Sequence, residues 1–402
     1  MFSRRDFLAT TLRSSTLLAL APAVPGFLAQ TARAAKAEKD SRILVVIQLD
    51  GGNDGINTVV PFADEGYAKY RKALRLSTER LIKINDRVGL HASLGDAAKL
   101  LESGRLAIVQ GVGYPNPSRS HFQSMAIWQS ARFDPEEHRS FGWLGRAFDD
   151  GAKIAAGETT SLLIGSGPPP LALRGRRAVA SAMERTEDFA LDSKIDPRRT
   201  FSGVTPSDDL TAFVQRSMLD AYSTSEHLTH LGRTSAGQAN YPSNGLATRL
   251  QLISQLLKIG FGARVFYTVH GGFDTHSTQL PRHSELLFQV SSSLRAFLDD
   301  LAAAGLAERV LVLAFSEFGR RVAENSSQGT DHGTAGPVFL AGAGLRAGLV
   351  GDTPNLLDLQ DGDLKWGIDF RRIYATILEE WLGLPTRTAL AGTFERLPLF
   401  TG

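Results

Sequence analysis

The chain has 402 residues, with 44 Lys and Arg against 42 Asp and Glu, a net charge of +2 and no cysteine. Without thiols there are no disulfides, thiolate zinc sites or cysteine nucleophiles. Residues 1–34 carry Arg4, Arg5, Arg13, Arg33 and Asp6, so without them the +2 becomes −1, and no net field remains to attract nucleic acid or an anionic membrane.

Ser3-Arg4-Arg5-Asp6-Phe7-Leu8 reads as a twin-arginine signal. The apolar stretch from Thr16 to Leu28 is short and broken by Pro22 and Pro25, which argues against a spanning helix, and Ala32-Arg33-Ala34 offers a small-residue cleavage site. The expectation is a signal over 1–34, passage through the twin-arginine export machinery, no permanent membrane anchor, and a periplasmic or secreted protein. Absence of thiols suits an oxidising compartment.

The remainder, 41–402, reads as a single α/β domain. Ile43 to Leu49, Leu106 to Val112, Leu162 to Ile164, Val265 to Val269, Val310 to Phe315 and Val338 to Leu340 are nearly continuous apolar runs, as expected of strands buried on both faces. Helical stretches lie between them, including Leu94 to Leu101 and Ser291 to Leu306. This alternation predicts a three-layer sandwich around a mostly parallel sheet. A variable middle region spans about 152–245. It holds the Gly167-Pro168-Pro169-Pro170 loop, and His227 and His230 read as a solvated helix end. Near the C-terminus, Phe370, Ile373, Tyr374, Ile377, Leu378, Trp381 and Leu382 form one apolar helix face, with Asp369 as N-cap and Gly383 as stop.

Four strand ends carry groups able to do chemistry. Asp50 closes the first strand before Gly51 and Gly52, where open α/β sheets place their sites. After the second strand, Ser118-Arg119-Ser120-His121 stands at a helix start. There Ser120 or Ser118 can serve as nucleophile, Arg119 can clamp an anion, and His121 can bind metal or orient the attack. Asp274 and His276 follow the 265–269 strand and are hard and borderline metal ligands, with His283 next in line and His270 a competitor. Glu317 ends the 310–315 strand and needs a metal or a cation such as Arg320 or Arg321 to stay charged, and His332 leads into the next strand.

In this order the stretches resemble the alkaline-phosphatase-like superfamily, which includes sulfatases. More closely, LDGGNDG, GYPNPSRSHF, GGFDTH, FSEFGRR and DHGTAGPVFLAG resemble a bacterial family of twin-arginine-exported proteins of unknown function. The resemblance implies an alkaline-phosphatase-like fold and a divalent metal (Zn, Mn, Mg or Ca) on Asp50, Asp274, His276, Glu317 and His332. It also implies a small anionic ester as substrate. The chain departs from the pattern where His276 follows Asp274 by two residues, where Ser316-Glu317 replaces an Asp-His pair, and where Pro115 stands in place of a modified Cys or Ser. The sequence therefore predicts a metal-dependent hydrolase of phosphate or sulfate esters. The alternative is a non-catalytic binding or assembly protein that retains the fold.

Overall fold

The computed structural model describes residues 41–134, 140–151, 159–184 and 240–401. The twin-arginine signal, its cleavage site, His227 and His230 lie outside the described residues.

Among the described residues, nine strands make one sheet. They are β1 (Ile43–Asp50), β2 (Leu106–Gly113), β3 (Thr159–Ile164), β4 (Val179–Met183), β5 (Val265–Gly271), β6 (Val310–Phe315), β7 (Gly336–Gly342), β8 (Gly348–Val350) and β9 (Ile368–Asp369). The order is β8-β2-β7-β6-β1-β5-β3-β4, with β9 beside β2. Only β7 runs against its neighbours; the other pairings are parallel. The reversal has a local cause. Parallel neighbours need a crossover, usually a helix, but the connection over 316–335 holds no helix and returns the chain directly beside β6. The amino end of β7 therefore shares a sheet edge with the carboxyl ends of β1, β2, β5 and β6.

Six helices complete the layers: α1 (Gly95–Glu102), α2 (His121–Ser130), α3 (Trp143–Gly151), α4 (Gly245–Lys258), α5 (Gln279–Ala303) and α6 (Phe370–Thr376). Alternate residues of β1 face opposite cores, as strand geometry requires. Val45 and Ile47 pack with Leu100, Leu250 and Leu294 from α1, α4 and α5. Leu44 and Val46 pack with Trp128, Trp143 and Phe370 from α2, α3 and α6. The three-layer α/β architecture read from the sequence is thus the one observed.

Two helix boundaries differ from the sequence reading. α5 begins at Gln279 rather than near Ser291, because Pro281 falls in its first turn, where a missing N–H breaks no helical bond. The C-terminal helix has its expected cap, Asp369 accepting the Arg371 N–H, and its expected stop at Gly383 with φ 64°, but its second half widens into a π-type turn over Ile377–Leu382. No helix among the described residues is long and apolar enough to cross a membrane.

Two histidines are buried neutral beneath the sheet edge. Desolvation pulls both His270 and His283 down to about 4, and His283 Nε2 lies 2.9 Å from Asn53 Oδ1. The unfolded chain takes up these protons near the ordinary value of 6.5, the folded chain only near 4. Stability present above about pH 6.5 is therefore lost as pH falls towards 4. Melting temperature is expected to decline over that interval, and less steeply in His283→Gln; identical slopes in both proteins would remove His283 from the account.

Candidate metal centre

The loops at the sheet edge meet around one fully covered side chain, Arg320, and backbone bonds from Phe273 N to Asp50 O and from Thr330 N to Thr275 O join them as well. The Arg320 Nε donates to Gly52 O at 2.7 Å, and Nη1 to Thr330 O at 2.7 Å. Nη2 serves Gly51 O, Phe273 O at 3.0 Å and Asp274 Oδ1 at 2.6 Å. A guanidinium is the only side chain with enough fixed donors to tie the loops after β1 and β5 to the one before β7. Their close approach needs Gly51: at φ 118°, a Cβ there would stand 2.4 Å from Asp274 N. Burial alone would raise Asp274, but the Arg320 hydrogen bond and charge, with His332 and His276 beside it, hold its carboxyl below the usual value.

Three imidazoles turn their Nε2 atoms towards Asp274 Oδ1: His276 at 2.9 Å, His332 at 3.1 Å and His121 at 3.6 Å. The Nε2 atoms of His276 and His332 are only 2.9 Å apart. Each ring is anchored through Nδ1. His121 Nδ1 lies 2.7 Å from Glu317 Oε1, His276 Nδ1 3.1 Å from Asp331 Oδ1, and His332 Nδ1 2.8 Å from Arg119 O. A carboxylate or carbonyl oxygen accepts only, so each Nδ1 carries the proton, and a neutral ring then points an Nε2 lone pair inwards. Three lone pairs and a carboxylate oxygen converging at one point need protons or a cation between them.

This donor set fits a divalent metal. His121 Nε2 is buried with no hydrogen-bond partner, and the ligand atoms of His121, Asp274 and His332 all lie within 4.8 Å of one another. Metal-binding histidines characteristically donate their other nitrogen to a carboxylate or carbonyl, as all three rings do here. The side chains of His276 and Asp274 are nearly half exposed, so the centre opens to solvent. It borders a cleft of about 570 Å³ whose lining includes the polar residues Asp50, His121 and Asp274 and the apolar residues Phe122, Met125 and Leu171.

The remaining sequence candidates are placed as follows. Glu317 is fully buried and faces His121, and its Oε1 also accepts the Gly51 N–H at 2.9 Å. Its hydrogen bond is the largest influence raising the His121 pKa. The alternative to a metal role for Glu317, an ion pair with Arg320 or Arg321, does not occur: Arg320 takes Asp274, and Arg321 Nε lies 3.8 Å from Asp363. Asp50 lines the cleft, and burial, followed by the Glu317 charge, raises its pKa. Arg119 turns its guanidinium to buried Asp363 and meets the centre only through its carbonyl oxygen. Ser118 Oγ donates to Gln123 Oε1 at 2.9 Å, and Ser120 is the N-cap residue of α2 without a side-chain cap bond; neither lines the cleft. His283 belongs to a separate buried network with Asn53 and Thr58. Asp331 and the anchoring by Arg320 escaped the sequence reading, although Asp331 stands next to His332.

The chain belongs to the family described as Protein of unknown function (DUF1501), which matches residues 41–397. No curated protein matches it. Among solved structures it is similar to a sulfatase from Pseudoalteromonas sp., at 14% identity over 92% of this chain and 76% of that one, with a TM-score of 0.41. It is also similar to the C-terminal periplasmic domain of EcEptC from Escherichia coli in complex with Zn, at 10% identity over 87% and 84%, with a TM-score of 0.42. A further likeness is to the soluble domain of lipooligosaccharide phosphoethanolamine transferase A from Neisseria meningitidis, at 9% identity over 76% and 77%, with a TM-score of 0.37.

Replacing Arg320 with Met removes the charge opposite Asp274 and leaves four loop carbonyls without their donor. Leaving buried acceptors without their donor costs about 1–3 kcal/mol, which urea unfolding of Arg320→Met against wild type will measure. A loss below about 1 kcal/mol, the range of an exposed pair, would show that the loops hold without it.

Proposed function

We propose that this member of the family is a metal-dependent hydrolase of small phosphate or sulfate esters. The observation that carries the reading is the convergence of three Nδ1-anchored imidazoles on Asp274 Oδ1 at the mouth of a cleft. His121, Asp274, His276 and His332 would hold the ion. A set rich in imidazole favours a borderline cation such as zinc over Mg or Ca. When bound, such an ion supplies Lewis-acid polarisation of an ester oxygen and a more acidic water.

The chain's own residues do the rest. Glu317, Asp331 and the Arg119 carbonyl fix the ring orientations, and Arg320 fixes the carboxylate. Asp50 lines the cleft beside His121 with a raised pKa, which suits a group that takes a proton and returns it. In hydrolysis a water oxygen bonds to phosphorus or sulfur as the ester P–O or S–O bond breaks. Asp50 receives the water proton and passes it to the departing alcohol oxygen. Arg282, beside the cleft at Gly272, is the candidate for the positive charge first sought in Arg119. Its Nη2 would lie 2.5 Å from a Cβ built on Gly272, a cleft residue, and it has no carboxylate partner among the described residues. We further read residues 1–34 as a twin-arginine export signal, which would make the working location the periplasm or beyond.

Purified protein is expected to contain about one equivalent of divalent metal by elemental analysis and to release p-nitrophenol from p-nitrophenyl phosphate or sulfate. Chelation should abolish turnover, and the added metal should restore it. Asp274→Ala and His332→Ala should each lose metal and lower kcat/KM by at least about 100-fold. Turnover that survives chelation, or variants that keep their metal, would refute the assignment. Full metal occupancy without turnover of any ester would instead favour a binding protein.

A further inference from the structure

α2 is apolar on two sides. Ile127 and Trp128 face the core, whereas Phe122, Met125 and Ala126, spaced three and four residues apart, face the cleft. Phe122 is 89% exposed, the most exposed large apolar side chain among the described residues. It lines the same cleft as His121 and Asp274 of the metal centre. Leu171 extends the same wall.

The wall's Phe122, Met125, Ala126 and Leu171 carry no side-chain nitrogen or oxygen. Its one amide, Gln129, is engaged at both ends: Nε2 donates to Gln48 Oε1 at 3.1 Å, and Oε1 accepts the Leu171 N–H at 3.0 Å. Sugar hydroxyls laid here would lose water without gaining partners, which is unfavourable. An aromatic ring would lose nothing of that kind. It would stack on or edge against Phe122 and meet the Met125 thioether. Asp50, His121 and Asp274 of the centre line the same cleft.

Resting on the hydrolase reading, we infer that the substrate is an amphiphilic ester: its anionic group sits at the metal centre and its leaving group is aromatic, held on Phe122, Met125 and Leu171. The wall and the centre share one cleft, so a single small molecule spans both.

The test is calorimetric binding of phenylphosphonate and methylphosphonate to the full-length, metal-loaded protein, with benzenesulfonate and methanesulfonate as a second pair. The aromatic member of at least one pair should bind about tenfold tighter or better, and Phe122→Ala should erase most of that preference. Because Phe122 is exposed, the variant should fold, which its melting temperature and metal content check. Equal affinities within both pairs, as expected if the wall docks a protein instead, would overturn the inference while leaving the hydrolase reading intact. Failure of all four anions to bind would overturn the hydrolase reading itself, and this inference with it.

Discussion

Everything at the working edge of this protein depends on the Arg320 guanidinium. It is buried against four carbonyl oxygens and one carboxylate drawn from three loops far apart in sequence. Burying a charge is unfavourable unless it is fully paired, and here the pairing itself fixes the loops. Gly51 lets the first loop pass close to Asp274, and Asp274 is left with one oxygen held by Arg320 and facing the rings. Backbone bonds from Phe273 N to Asp50 O and from Thr330 N to Thr275 O reinforce the same junction.

Three imidazole nitrogens and a carboxylate oxygen are brought to one point by residues far apart in the chain. Their anchors explain how. Glu317 is itself held by the Gly51 N–H, and His332 leans on a carbonyl of the segment leading into α2. The surrounding fold contributes the rigidity: β1 is buried on both faces, and large aromatic side chains such as Trp143 stacked on Tyr374 fix one flanking layer. Opposite the polar centre, α2 spends its second apolar face on the cleft rather than on the core. That division gives one cavity both charged and apolar lining.

Much of this could be read from the chain. Continuous apolar runs announced the buried strands, and the residues just beyond them, Asp50, Asp274, His276, Glu317 and His332, were recognisable because ionisable groups at such positions need a reason to be there. His121 stood out at its helix start. What the pattern could not give was direction. Glu317 reads as a group facing the site, yet it lies behind His121, a partner 196 residues away. Arg119 reads as an anion clamp, yet buried Asp363 takes its side chain from 244 residues away. Arg320, read as a neighbour for Glu317, reaches across to Asp274 instead.

The sequence by itself determined the layers, the six long buried strands, the caps of the C-terminal helix and most of the groups available for chemistry. These follow from local hydrophobic periodicity and backbone preference, which act over a few residues. Only the tertiary structure decided that β7 runs backwards, and so brings His332 to the same edge as the ends of β1, β2, β5 and β6. Only it chose which rings share Asp274 and which side chains stand behind them. Those outcomes depend on how a few buried charges find partners across the whole chain, and a one-dimensional pattern does not encode which partner is nearest once the sheet has closed.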